Sequence, residues 1–199
     1  MTIHKGQPWG VASPLPPSSP VVASDAAFGA LLAAGPPWPV VGLLGGDLCH
    51  TLGGRGDEAR LHSAEAMTFP VDVLAVSLDG GPPVWCVAHV VARSGGWRRV
   101  YIAANAQWIG EWNVAPRGHP DDGRVDTLAW ELGRREARKV MARLPQGAHL
   151  PHPGLTTSAG RSASVSWPRP RRVWVDGAVA GRARSVTLTV EPDALRVVV

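Results

Sequence analysis

Cysteine is nearly absent from this 199-residue chain, which carries only Cys49 and Cys86. Two thiols build no disulfide framework, and a chain of this length buries ~70% of its unfolded surface without one. A reducing, cytoplasmic setting is therefore expected. Long apolar runs are missing too. The longest, Ala26 to Gly46, is broken by Pro36, Pro37 and Pro39, so no membrane-spanning helix is expected. The polar stretch Met1 to Gly10 leads into no apolar core, so no secretory leader is expected. Charged residues are only 18% of the chain against 45% hydrophobic ones, which excludes a disordered tail.

Glycine and proline, by contrast, are plentiful at 23 and 19 residues, and favour short elements and loops over a helical bundle. The net charge is +4, with arginine far outnumbering lysine. That balance suits nucleic acid, anionic headgroups or a phosphorylated ligand, and equally a bias of genome composition.

Along the chain, residues 1–24 include the run from Ser13 to Pro20 and read as a flexible Pro/Ser-rich lead-in. Ser24-Asp25 caps a short helix to Ala34, and Val40–Leu44 is a buried strand. Gly45-Gly46-Asp47 then turns into a helix over Leu48–Leu52, a fragment of an α/β unit. From Met67 the pattern changes to strands at Val71–Ser77, Val84–Ala92, Trp97–Asn105, Arg124–Trp130, Ser162–Trp167, Arg172–Val175, Ser185–Val190 and Ala194–Val199. One amphipathic helix, Glu131–Leu144, interrupts them. The fold expected is α+β and mostly β: an antiparallel β-sandwich over residues 65–199 with an α/β stub over 25–64.

Several segments could carry chemistry. The Gly45-Gly46-Asp47 turn can present backbone N–H groups to a phosphate, or simply join strand to helix. In Arg117–Asp126, Asp121, Asp122 and Asp126 surround a glycine, as a hard-cation site does, although Asp-Asp-Gly is also a good hairpin turn. Asp176-Gly177 between strands reads first as a turn. His149 and His152, flanked by Pro151 and Pro153, read as loop residues. The basic stretches around Arg134, Arg169 and Arg182 read as solvated faces, and no aromatic stacking platform accompanies them.

In order, these fragments resemble the diacylglycerol kinase catalytic family. The resemblance is carried by Asn105 to Gly110, Ala115-Pro116 and Asp121 to Asp126, then by Gly147-Ala148-His149, His152-Pro153-Gly154, Val175-Asp176-Gly177 and Glu191 to Val197. Upstream, Gly45 to Gly53 is similar to the tail of the family's Gly-Thr-Gly-Asn-Asp-Phe-Ala-Arg-Thr-Leu-Gly segment. The resemblance implies a remnant phosphate loop at Gly45, Gly46, Asp47 and Thr51, a catalytic position at Asp176, and a structural Mg²⁺ on the Asp122 carboxylate with the carbonyls of His119 and Arg124.

Departures from the family pattern are equally specific. No Gly-Gly-Asp-Gly-Thr loop occurs, Leu44 and Gly46 stand for the phosphate-contacting Thr and Asn, and Ala178 stands for the Glu proposed as base. Leu44 has no side-chain donor and Ala178 accepts no proton. The resemblance thus implies a homologue lacking the nucleotide domain and inactive alone, with no ATP bound to the isolated chain. It would bind a lipid-like small molecule or a protein partner, with a homo-oligomer also open. The alternatives are a lipid kinase completed in trans by a nucleotide-binding subunit and, last, a basic nucleic-acid module.

Overall fold

The computed structural model describes residues 9–199. In chain order these form β1 (Val11–Ala12), β2 (Val21–Val22), α1 (Asp25–Leu32), β3 (Val41–Leu43), α2 (Asp47–Thr51), α3 (Glu58–Leu61), β4 (Met67–Leu78), β5 (Val84–Cys86) and β6 (His89–Ser94). There follow β7 (Arg99–Ala104), β8 (Trp108–Ile109), β9 (Trp112–Asn113), β10 (Val125–Glu131), α4 (Arg134–Arg143), a 3₁₀ turn at Leu144–Gln146, β11 (Leu155–Gly160), β12 (Ser162–Val175) and β13 (Ala178–Val198).

All strands except the β8–β9 hairpin join one sheet in the order β1-β4-β13-β12-β6-β7-β10-β11. Its main pairings are antiparallel, and β5 adds to the far side of β4. The sheet folds around a core of Leu74, Val76, Val90, Tyr101, Val173, Val186 and Leu188. Alternation explains the enclosure: on β13, Val186, Leu188 and Val190 are buried and Thr187 and Thr189 exposed. The mostly β, antiparallel sandwich expected from the sequence is what forms.

Two further cores cover the sheet's outer surfaces. Val91, Val100, Ile102 and Leu128 pack beneath Val114 and Leu144. At the other end α1 and α2 bring Phe28, Leu32 and Leu48 against Val71, Val73 and Val197. Ser24 caps α1 by accepting the Ala27 N–H at 3.2 Å, an interaction worth ~1 kcal/mol.

Four expectations need correction. Residues 9–24 are not a loose lead-in: β1 pairs β4, β2 pairs β3, and Leu15 is 3% exposed with its N–H on Leu61 O at 2.7 Å. The first eight residues of the expected lead-in lie outside the described residues. The expected strand Val84–Ala92 is instead β5 and β6, parted at Val87 and Ala88, while β3 of the α/β stub runs parallel to β13 in the same sheet. The paired segments 162–167 and 172–175 are one strand, broken in register where Pro168 and Pro170 offer no N–H to the ladder. Finally, Glu131 ends β10 and the helix begins at Arg134. Among the described residues no helix is long and apolar enough to cross a membrane.

Candidate functional site: a carboxylate cluster and a nearby pocket

Val175 and Ala178 are paired across β12 and β13, leaving Asp176 and Gly177 as a two-residue turn with φ of +49° and +79°. Aspartate tolerates this left-handed conformation better than most side chains. The turn aims the Asp176 carboxylate into the break between β5 and β6. There it accepts the N–H groups of Val87, Ala88 and His89 at 2.9, 2.8 and 3.1 Å, and the Cys86 thiol at 3.2 Å. Asp176 is 3% exposed, and burial raises its pKa against the pull of those N–H groups. Burial and the neighbouring carboxylate push the Cys86 thiol well up. The carboxylate is a structural anchor with its acceptor capacity in use.

A second carboxylate, from α1, sits at the start of α2. Asp25 accepts the Asp47 N–H at 2.5 Å and the Leu48 N–H at 3.2 Å. Gly46 makes the approach possible: its φ is +99°, and a Cβ there would lie 2.6 Å from Asp25 Oδ1. Of the N–H groups that the resemblance assigns to a phosphate, that of Asp47 is therefore already bonded to the chain's own carboxylate, as is the next one along, that of Leu48. Burial, reinforced by the charges of Asp176 and Asp47 and opposed by the two N–H bonds, pushes Asp25 up to about 7.

Asp47 ties α2 to the β8–β9 hairpin by accepting the Gly110 N–H at 2.7 Å, and its other oxygen lies 3.3 Å from His89 Nδ1. Burial lowers the His89 pKa against the opposing charges of Asp176 and Asp47. Thr51 Oγ1 donates to Asp47 O at 2.8 Å and accepts the Gln107 N–H at 3.0 Å, while His50 stacks on Trp108 at 4.6 Å. The fold thus brings Asp176, Gly46 and Asp47 together, with Thr51 one turn behind. Gly45 is pressed instead against the Ala23 carbonyl, 2.6 Å from its Cβ position. Asp25, His89 and Cys86 are the members that sequence reasoning missed.

The segment His119, Asp122 and Arg124 lies apart from this cluster, on one tight turn. Asp122 Oδ1 accepts the Arg124 N–H at 2.9 Å, and the His119 ring packs on Trp9 at 4.1 Å. Asp72, fully buried on β4, holds the turn by accepting the N–H groups of Gly123 at 2.7 Å and Asp193 at 2.9 Å. Burial raises both Asp122 and Asp126, and the Asp122 charge adds to the rise at Asp126. The Arg124 charge opposes the rise at both, and Asp122 offers the kind of oxygen donor that a hard ion takes. Among the described residues no three His, Cys, Asp or Glu side chains form a metal-holding group, so such an ion would depend on the His119 and Arg124 carbonyls.

Between the outer sheet face and the Val114–Arg117 and Gly147–His152 loops lies a cavity of about 720 Å³. Ile102, Leu128 and Leu155 form its floor, Val114 and Leu150 its walls, and Asp126 a polar end. Pairing sets His89, Ala104, Asp126 and Ala159 in one row across β6, β7, β10 and β11, which puts that end two strands from His89. His149, expected in a loop, is fully buried beside Val114, and burial lowers its pKa.

Residues 65–199 match the family described as the YegS C-terminal NAD kinase beta sandwich-like domain. The chain belongs to this family. Solved structures give the same fold. A diacylglycerol kinase from Bacillus anthracis str. Sterne shares 13% identity at a TM-score of 0.63, covering 89% of this chain and 74% of that one. A second structure from that organism, of a protein whose diacylglycerol kinase assignment is provisional, shares 12% identity at a TM-score of 0.67, with 89% and 76% covered. No curated protein matches the chain. The 89% coverage is more than residues 65–199 can supply, so the likeness to these structures runs beyond the YegS-type sandwich into the N-terminal segment.

Proposed function

We propose that this chain alone binds a lipid-like ligand and does not phosphorylate it. The observation that carries the reading is the Asp25 carboxylate on the Asp47 and Leu48 N–H groups. Phosphoryl transfer depends on positioning and on neutralising the phosphate charges. Here the Asp47 and Leu48 N–H groups are filled, and the Asp25 carboxyl occupies the space in front of them. Asp176 has no spare capacity for a proton at a substrate hydroxyl, and Ala178 offers a methyl group where the family resemblance puts a carboxylate. The 720 Å³ cavity has the size of a small-molecule site, and its lining mixes Ile102, Leu128, Leu150 and Leu155 with Arg117, Asp126 and Thr157.

Two measurements test this. Native mass spectrometry of freshly purified protein is expected to show a copurified lipid, absent from Thr157→Trp, which fills the cavity from an exposed lining position. Incubation with ATP, Mg²⁺ and diacylglycerol is expected to give no phosphorylated product. Product from the single chain, or a variant that keeps the lipid, would overturn the reading. The second reading, a kinase completed in trans, is supported by the likeness to kinase structures over 89% of the chain. Its mark is activity that appears only on adding a nucleotide-binding subunit.

A Mg²⁺ ion, in this reading, rests on Asp122 with the His119 and Arg124 carbonyls and stiffens their turn. EDTA should then lower the melting temperature of the wild type, and Asp122→Ala should melt lower and ignore EDTA. Equal melting in all four conditions would leave the segment a plain turn.

A further inference from the structure

Four residues along β6 from His89, on the outer sheet face, three arginines stand abreast. Arg172 on β12 is directly opposite Arg93 on β6 and, on its other side, Arg182 on β13. Their sequence neighbours Val173, Ala92 and Ala183 are buried in the sandwich core, so all three arginines project outward. Like charges directly opposite in a sheet destabilise it by up to ~1 kcal/mol per pair. Among the described residues none of the three is in an ion pair; the carboxylates in pairs serve Arg60, His89, Arg99, Lys139 and Arg171.

Aromatic rings brace the row rather than neutralise it. The Arg93 guanidinium lies 4.7 Å from both the Trp97 and Trp174 ring centres, and that of Arg172 lies 5.3 Å from Trp174. Trp97 and Trp174 are half-buried, and Val179, opposite Trp174, is 56% exposed. Packing the two rings requires one guanidinium between them; it does not require three abreast.

We infer that this face docks on an anionic lipid bilayer surface. Guanidinium groups bind phosphate oxygens in a fork, tryptophan rings favour the headgroup level, and an exposed valine adds an apolar contact. The row's uncompensated charge complements that surface. A nucleic-acid strand fits less well, because base stacking needs a free ring face and the guanidinium groups cover these rings. The inference is independent of what fills the cavity.

Flotation with phosphatidylcholine vesicles, with and without phosphatidylserine, tests it. Binding is expected only to the anionic vesicles, weakening with salt, with a blue shift of tryptophan emission. Arg172→Gln with Arg182→Gln, both exposed, is expected to melt no lower than the wild type and to lower the partition roughly thirtyfold. Arg134→Gln with Arg135→Gln and Arg138→Gln on α4 is expected to bind unchanged. Equal binding to neutral vesicles, an unaffected double variant, loss in the α4 variant, or capture of a single-stranded oligonucleotide in place of vesicles would each overturn the inference.

Discussion

Asp176→Ala is expected to lower the melting temperature by roughly 10 °C. Three backbone N–H groups, of Val87, Ala88 and His89, lose their acceptor in a site closed to water. An orphaned buried donor costs ~1–3 kcal/mol, and relief of a desolvated carboxylate returns part of the total, leaving about 3 kcal/mol. For a domain of this size each kcal/mol moves the midpoint by ~2–4 °C. Alanine also meets backbone strain at φ +49°, so Asp176→Gly separates the two effects. Glycine relieves the strain and still removes the acceptor. A glycine variant as stable as the wild type in thermal denaturation would show that the turn, and not the carboxylate, is what the position needs.

Asp25→Asn should change the pH dependence of stability strongly. The folded chain holds the Asp25 proton up to about pH 7 against an ordinary value of 3.8. A proton bound more tightly by the fold stabilises it fully below about pH 4, progressively less toward pH 7, and not above. The difference corresponds to at most about 4 kcal/mol. Relative to wild type, Asp25→Asn should therefore gain melting temperature as pH rises from about 4 to about 7 and level off above that. The groups facing Asp25 are Asp176, Asp47 and the Cys49 thiol, whose pKa rises to about 11, with His89 against Asp47. A wild-type minus variant difference that stays flat with pH would show that Asp25 is ionised throughout.

Much of the fold was legible because its signals are local. Alternation marked most of β4, β6, β7, β10 and β13, and Ser24 marked the start of α1. β11 went unread: only Leu155 and Gly160 are half-buried, the residues between them are exposed, and a Thr/Ser-rich strand carries no apolar alternation. The 9–24 segment misled for a related reason. Proline and serine suggested a linker, whereas Leu15 and Val22 are buried on the body. Part of the cluster was legible through the resemblance, which singled out Gly46, Asp47 and Asp176. Asp25, beside a good N-cap serine, looked like part of the cap alone.

The sequence by itself determined most of the strand content, the two-residue turn at Asp176-Gly177, the loss of a donor at Leu44 and of a carboxylate at Ala178, and the family. Each depends on residue identity over a few neighbouring positions. Only the tertiary structure decided what those residues do. Asp25 meets α2 across 22 residues of chain and Asp176 meets the β5–β6 break across nearly 90, while three arginines become neighbours through strand register. Such contacts arise from how the elements pack, and packing leaves no mark at either end of the pair in the chain.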